Sequence, residues 1–171
     1  TEQPTTTPRT MQAIVFDDFG GPEVLVAREI PVPEVRPHDL LVRNASIGVN
    51  RADLLHRKGA CGRAYFGDAD TMGLEIAGTV VAMGPEVQGF TLGDRVMGIV
   101  GGGAYAELTR IDHRMAMPVP AGMDLVAAGA VAVVFVTARV CHGRGRQAWR
   151  RAGLRGRCVH RLLQRRLSGG G

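Results

Sequence analysis

Cysteine is scarce in this sequence: Cys61, Cys141 and Cys158 are widely spaced and odd in number among 171 residues. That spacing supports neither a closed disulfide framework nor a four-cysteine zinc site. With few thiols and no framework, a reducing, cytoplasmic setting is expected. Lysine is scarcer still, Lys58 standing alone among 21 basic residues. No apolar run is long enough to cross a bilayer. The longest, residues 125–138, has 14 residues, where a span needs about 20. The polar, threonine-rich opening carries no apolar core of a secretory signal. Acidic residues are missing altogether from 139–171.

What is present suits a globular fold. Hydrophobic residues make up 45% and charged residues 22%, enough apolar surface to exclude wholesale disorder. The net charge of +5 averages two unlike pieces. Residues 139–171 hold ten arginines and no acid, whereas 1–138 hold eleven basic against sixteen acidic residues, a net of −5. The expected organisation is a disordered leader over 1–10, with Met11 a candidate natural start, a globular domain over 11–138, and a disordered arginine-rich tail over 139–171.

Within 11–138 the pattern is one of short strands. Residues 12–16 and 24–30 are β-rich and flank the turn cluster Asp17-Asp18-Phe19-Gly20-Gly21-Pro22, which predicts a hairpin. Residues 40–49 predict a longer strand, and Asn50 then stands as the N-cap of a helix over 51–58 closed by Gly59. Further strands are expected over 76–83, 95–100 and 104–111. Asp124 caps the apolar segment 125–138, helical in its first half and undecided beyond. Many short strands, Gly/Pro turns and one or two short helices predict a mainly β (α+β) fold, a small, partly open β-barrel. No repeated strand–helix–strand pattern announces a doubly wound dinucleotide-binding sheet.

Four segments then agree in order and spacing. They are Ile47-Gly48-Val49-Asn50-Arg51-Ala52-Asp53, Gly73-Leu74-Glu75-Ile76-Ala77-Gly78-Thr79-Val80, Leu92-Gly93-Asp94-Arg95-Val96 and Gly101-Gly102-Gly103-Ala104-Tyr105-Ala106-Glu107. With the opening Met11-Gln12-Ala13-Ile14-Val15, the chain resembles the zinc-free quinone oxidoreductase branch of the medium-chain dehydrogenases/reductases over about 11–138. The resemblance implies a GroES-like β-barrel, NADPH as hydride donor, quinones or conjugated enones as substrates, and a homodimer. In the zinc-dependent branch a His precedes the motif glutamate and a Cys precedes the first helix. Here Leu74 and Asn50 hold those places. Leucine has no lone pair to offer and an amide is a poor ligand beside thiolate or imidazole, so no metal is expected.

Each candidate residue has a functional and a structural reading. Asn50 caps the helix, and the resemblance places it at the nicotinamide and substrate pocket as a catalytic and cofactor-binding residue. Asp53 compensates the helix dipole or accompanies Asn50 in the motif. Glu75, an acid in an apolar run, must find a cation or amide donors, as an orienting group at the cleft or as a satisfied structural residue. Gly73 and Gly78 answer to close backbone packing. Tyr105 is either a loop tyrosine at the barrel edge or, by resemblance, a catalytic phenol facing the substrate. Tyr65 and Phe66 are weaker candidates for the same substrate pocket. The glycine run 101–103 lacks the strand–loop–helix setting of a phosphate cradle.

Beyond Ala138 the resemblance stops, and neither the glycine loop nor the fold that receives a pyrophosphate is expected in residues 139–171. The tail is open to two readings. One is an out-of-frame stretch of a GC-rich gene, favoured because the break in composition falls at the family boundary. The other is an evolved arm for RNA or other anionic surfaces, which would make the whole a nucleic-acid-binding protein. A non-enzymatic barrel module that oligomerises is a third reading, resting on fold analogy. Ten positive charges bind polyanions by counterion release whatever their origin, so affinity alone decides nothing. The expected outcome at physiological salt is weak binding without sequence preference. A competition assay that finds one oligonucleotide favoured a hundredfold, about 2.7 kcal/mol, would make the arm a functional reader.

Overall fold

The computed structural model describes residues 8–60 and 71–142. Its strands are β1 (Thr10–Val15), β2 (Val26–Pro31), β3 (Asp39–Ile47), β4 (Glu75–Met83), β5 (Arg95–Ile99), β6 (Leu108–Asp112) and β7 (Ala116–Pro118). The helices are α1 (Arg51–Arg57), α2 (Leu125–Ala128) and α3 (Ala132–His142). Five strands form one antiparallel sheet in the order β6-β3-β4-β5-β7. β1 and β2 form a second ladder, with Thr10 opposite Pro31 and Val15 opposite Val26. The described fold is thus mostly β, as the strand pattern predicts.

The central strand β3 is where the sheet curls. Its register against β4 slips at Leu41/Val42 and again at Asn44/Ser46, and such irregularities bend a strand and increase its twist. Leu40, Leu41 and Val42 are each buried to 1% exposure or less, so β3 serves cores on both its faces. On one side Leu40 and Val42 join Ile76, Val80, Val96 and Ile111. On the other, Leu41 meets Met11 and Leu108 under the β1–β2 ladder. That ladder is tied to the large sheet by the Ala13–Ala106 bridge and by the Ile14 N–H donating to the Tyr105 carbonyl at 2.8 Å.

Several boundaries differ from the sequence expectation. β1 begins at Thr10, and the Arg9 carbonyl accepts from Val32, so the expected leader ends earlier than residue 10. The strand expected over 104–111 begins only at Leu108, because residues 104–107 are spent bridging β1 and holding Asn44. The apolar segment 125–138 is two helices. Asp124 caps α2 through the N–H groups of Val126 and Ala127, α2 stops at Gly129, and α3 runs on through His142. Residues 139–142 are therefore helical, and the expected disordered tail does not begin at 139; residues 143–171 lie outside those described. β7 was not expected, since its three residues end in a proline, which only an edge position tolerates. Among the described residues no helix is long and apolar enough to cross a membrane.

Gly78 marks the tightest crossing in the sheet. A Cβ there would stand 2.0 Å from the Arg43 carbonyl oxygen and 2.8 Å from a Val42 methyl. Neither strand can yield without breaking the β3–β4 ladder. Gly78→Ala is expected to cost at least about 2 kcal/mol of folding stability, read as a lowered urea midpoint. A midpoint within error of the parent would show that the strands separate freely.

Candidate functional site

The site gathers where β3 gives way to α1, beside the start of β4. After Ile47 the chain passes Gly48, whose N–H donates to the Glu75 carbonyl at 3.1 Å. Asn50 follows in extended conformation at the N-cap of α1, half-buried. Its backbone N–H donates to Asp53 Oδ2 at 2.7 Å, while the Asp53 N–H donates to the Asn50 carbonyl at 3.0 Å. This reciprocal pair fixes the first turn of the helix. Asp53 is only 1% exposed. On the far side of α1, His56 meets Phe16 edge-on with ring centroids 5.2 Å apart, which packs the helix against the end of β1.

The Asn50 side chain turns to β4. Its Nδ2 donates to Glu75 Oε2 at 3.1 Å. The other carboxylate oxygen, Oε1, accepts from the backbone N–H of Val133 at 2.8 Å, in the first turn of α3. Glu75 is 1% exposed, and these partners are neutral. The room for the carboxylate comes from Gly48, where a Cβ would lie 2.2 Å from Glu75 Oε2 and 2.7 Å from the Gly129 carbonyl. Ser46 closes the same corner by donating its hydroxyl to the Leu125 carbonyl of α2.

Tyr105 arrives from a loop that glycine makes possible. Gly102 and Gly103 take left-handed conformations, and the Gly103 and Tyr105 N–H groups donate to Thr71 and Met72. Gly73, at φ +97°, lies so close beneath the ring that a Cβ would stand 2.5 Å from Tyr105 Cδ1. The phenol lies near enough to the Asp53 carboxylate for each to bias the other's protonation. Burial pushes the Tyr105 hydroxyl far above its ordinary range, and the Asp53 charge adds to that, so it stays a protonated donor. Burial also raises Asp53, with help from the Glu75 charge and against the bonds from Asn50 and Tyr105.

Four of the predicted residues therefore meet in one network: Asn50, Asp53, Glu75 and Tyr105. Gly73 touches it from below Tyr105, and Gly78 lies further along β4, serving the sheet. Tyr65 and Phe66 lie outside the described residues. Leu74 is buried at 5% exposure. Among the described residues no three His, Cys, Asp or Glu side chains are grouped to hold a metal. Sequence reasoning missed Gly48 and the Val133 N–H. A signal for the latter exists: α3 starts inside Gly129-Ala130-Val131-Ala132, with no side chain able to cap it, so its free amides need an acceptor from elsewhere.

The described strands form a curled antiparallel half-barrel with a polar network at the β3–α1 junction. Residues 36–121 match the alcohol dehydrogenase GroES-like domain family, and the chain belongs to that family. It is 38% identical over 125 residues to a quinone oxidoreductase of Pseudomonas aeruginosa, covering 72% of this chain and 38% of that protein. The quinone oxidoreductase of Pseudomonas syringae superposes with a TM-score of 0.73 at 29% identity, over 80% of this chain and 42% of that one. The Escherichia coli quinone oxidoreductase, solved in complex with NADPH, superposes at 0.69 with 27% identity, over 78% and 40%. The chain thus spans about two fifths of the length of these relatives.

The raised Asp53 carboxyl has a consequence for stability. A group that binds its proton more tightly when folded stabilises the fold at low pH, and that contribution is lost as pH rises from 3.8 through the folded value. In Asp53→Asn the side chain is neutral throughout, so the fall in stability across that window is expected to flatten. Melting curves taken from pH 4 upward decide this, and an unchanged slope in the variant would assign the pH dependence to other groups.

Proposed function

We propose that this domain is the substrate-facing part of a zinc-independent oxidoreductase that reduces quinones or conjugated enones with hydride from NADPH. Family membership supports the class. One observation carries the finer reading: of the two places where the zinc-dependent branch keeps ligands, one holds a buried leucine, Leu74, and the other an amide, Asn50, already bonded to Glu75. A site with those donors offers no Lewis acid to draw a proton from an alcohol. Reducing an acceptor whose developing charge spreads over a conjugated system asks less of the protein, and hydrogen-bonding groups suffice.

The described residues do not fit the phosphate-bearing part of a dinucleotide. Every ladder among them is antiparallel, and none presents the strand–glycine loop–helix crevice that receives a pyrophosphate. In the glycine run the Gly103 N–H is already given to Thr71. NADPH, when bound, supplies the hydride, and the phosphate anchor lies outside these residues. What the domain itself contributes is a polar wall in which Asn50 is held by Glu75 and Tyr105 stands beside Asp53.

The 171-residue chain alone is accordingly expected to show no saturable NADPH oxidation with a simple quinone and well under one zinc per molecule after dialysis. Duroquinone, which has no open ring position for thiol addition, is expected to shift the NMR resonances of the β3–α1 junction and of Tyr105. One zinc per chain, or shifts scattered away from this junction, would overturn the reading.

A further inference from the structure

We propose that Asn44 and Thr109 are positioning residues for Tyr105: their side chains hold the main chain on both sides of it and so fix where its ring stands against Gly73. The placement stands without a ligand; that a quinone uses the ring rests on the function proposed above. Asn44 lies at the second slip of β3, opposite Gly78, and its own N–H donates to the Glu107 carbonyl at 2.9 Å. Its side-chain nitrogen meets three oxygens: Thr109 Oγ1 at 2.7 Å, the Ala106 carbonyl at 2.8 Å and the Ala104 carbonyl at 3.3 Å. Thr109, on β6 and 2% exposed, donates its hydroxyl proton to the Gly103 carbonyl at 3.0 Å, so it meets Asn44 as an acceptor. These partners fix the direction of the amide. Turned over, it would set its carbonyl oxygen against those of Ala104 and Ala106. In the orientation observed, Asn44 Oδ1 is buried with no hydrogen-bond partner among the described residues, an unfavourable state that the bonds to the loop offset.

The loop has main-chain anchors of its own, and they do not suffice. The Tyr105 N–H donates to the Met72 carbonyl at 2.9 Å, and its carbonyl accepts from Ile14 at 2.8 Å. The carbonyls of Gly103 and Ala106, on either side, have no main-chain donor among the described residues; Thr109 and Asn44 supply theirs. Gly102 and Gly103 both take left-handed conformations, and glycine backbone gives the turn before Tyr105 little stiffness. The ring has no slack either, since a Cβ on Gly73 would stand 2.5 Å from Tyr105 Cδ1. A small pivot of the loop therefore carries the ring off Gly73.

NMR of the parent chain is expected to show a scalar coupling across the hydrogen bond from Asn44 Nδ2 to the Ala106 carbonyl carbon. Its absence overturns the proposal, and no variant is needed to see it. The second readout is the displacement of the Gly73 Hα resonances by the Tyr105 ring current, with Tyr105→Leu marking their place without a phenol. Thr109→Ser keeps the hydroxyl and is expected to keep the displacement. Thr109→Val keeps the shape without the hydroxyl and is expected to lose most of it while the β3–β4 amides stay protected from exchange. Full displacement in Thr109→Val, or equal loss in Thr109→Ser, would assign the ring's place to the main chain or to packing and overturn the proposal. Asn44→Asp sets a carboxyl against the two carbonyls: protonated it donates one bond, ionised it donates none. Its displacement is expected to fall relative to the parent as pH rises from about 4. Asp53, Glu75 and Glu107 are common to both chains, so the difference isolates the new carboxyl, and a flat difference overturns the proposal. Should Thr109→Val not fold, the parent's coupling and this pH course still decide. Duroquinone then tests the use of the ring. Its shifts at Tyr105 are expected to weaken in Thr109→Val while those at Asn50 persist, and undiminished shifts at Tyr105 overturn the link from loop to ligand. No response in the parent sinks the functional reading above and leaves the Gly73 signal to decide the positioning.

Discussion

A buried carboxylate whose partners among the described residues are neutral amides is the constraint around which this domain is arranged. Glu75 stands at the first position of β4 with 1% exposure, and it is held by one side-chain amide and one backbone N–H. Desolvating a carboxylate is expensive unless donors replace the water it loses. Each donor comes from a different element, Asn50 from the N-cap of α1 and Val133 from the first turn of α3. Satisfying Glu75 thus sets the positions of two helix starts relative to the sheet. The Gly48 position is bound by the same requirement, since any side chain there would occupy the space of the carboxylate.

The sheet carries this corner because β3 and β4 are locked along their length. Their ladder runs from Leu40 opposite Met83 to Ile47 opposite Ile76, so Glu75 and Gly48 emerge side by side at its end. Gly78 allows the strands to approach closely enough for that, and the two slips in β3 turn its end toward α1 and α2. The glycine loop does the corresponding work for Tyr105, whose backbone is pinned to Met72 and Ile14 while its ring lies over Gly73. Packing energy comes from the apolar faces of β3 to β6; direction comes from glycines.

Much of this was legible in the amino-acid order. Asn50 as an N-cap, Asp53 in the first turn and Glu75 as an acid that must find donors follow from local chemistry, and the structure places the three together with Tyr105. The strand order and the partners of Glu75 were not legible, because they depend on contacts between residues 25 and 58 positions apart. The second half of 125–138 stayed undecided for a related reason. Val133 to Val136 favour a strand by composition. α3 forms nonetheless, and its first turn is anchored by a distant carboxylate that no local pattern announces. Residues 104–107 mislead in the opposite sense, being strand-like in sequence but committed to bridging β1.

The charges of the network bear on what the proposed site can reduce. Glu75 and Asp53 are both buried, each adds to the cost of negative charge nearby, and Tyr105 beside Asp53 is kept protonated by burial and by that charge. An isolated alkoxide forming beside these groups would meet repulsion, and none of the four network residues, Asn50, Asp53, Glu75 and Tyr105, is a cation that would offset it. A quinone or enone places its developing charge over several atoms and can carry it to the end of the molecule farthest from the carboxylates. The buried leucine at position 74 and the amide at position 50, already bonded to Glu75, favour the same proposed acceptors, because neither side chain is suited to hold a Lewis acid.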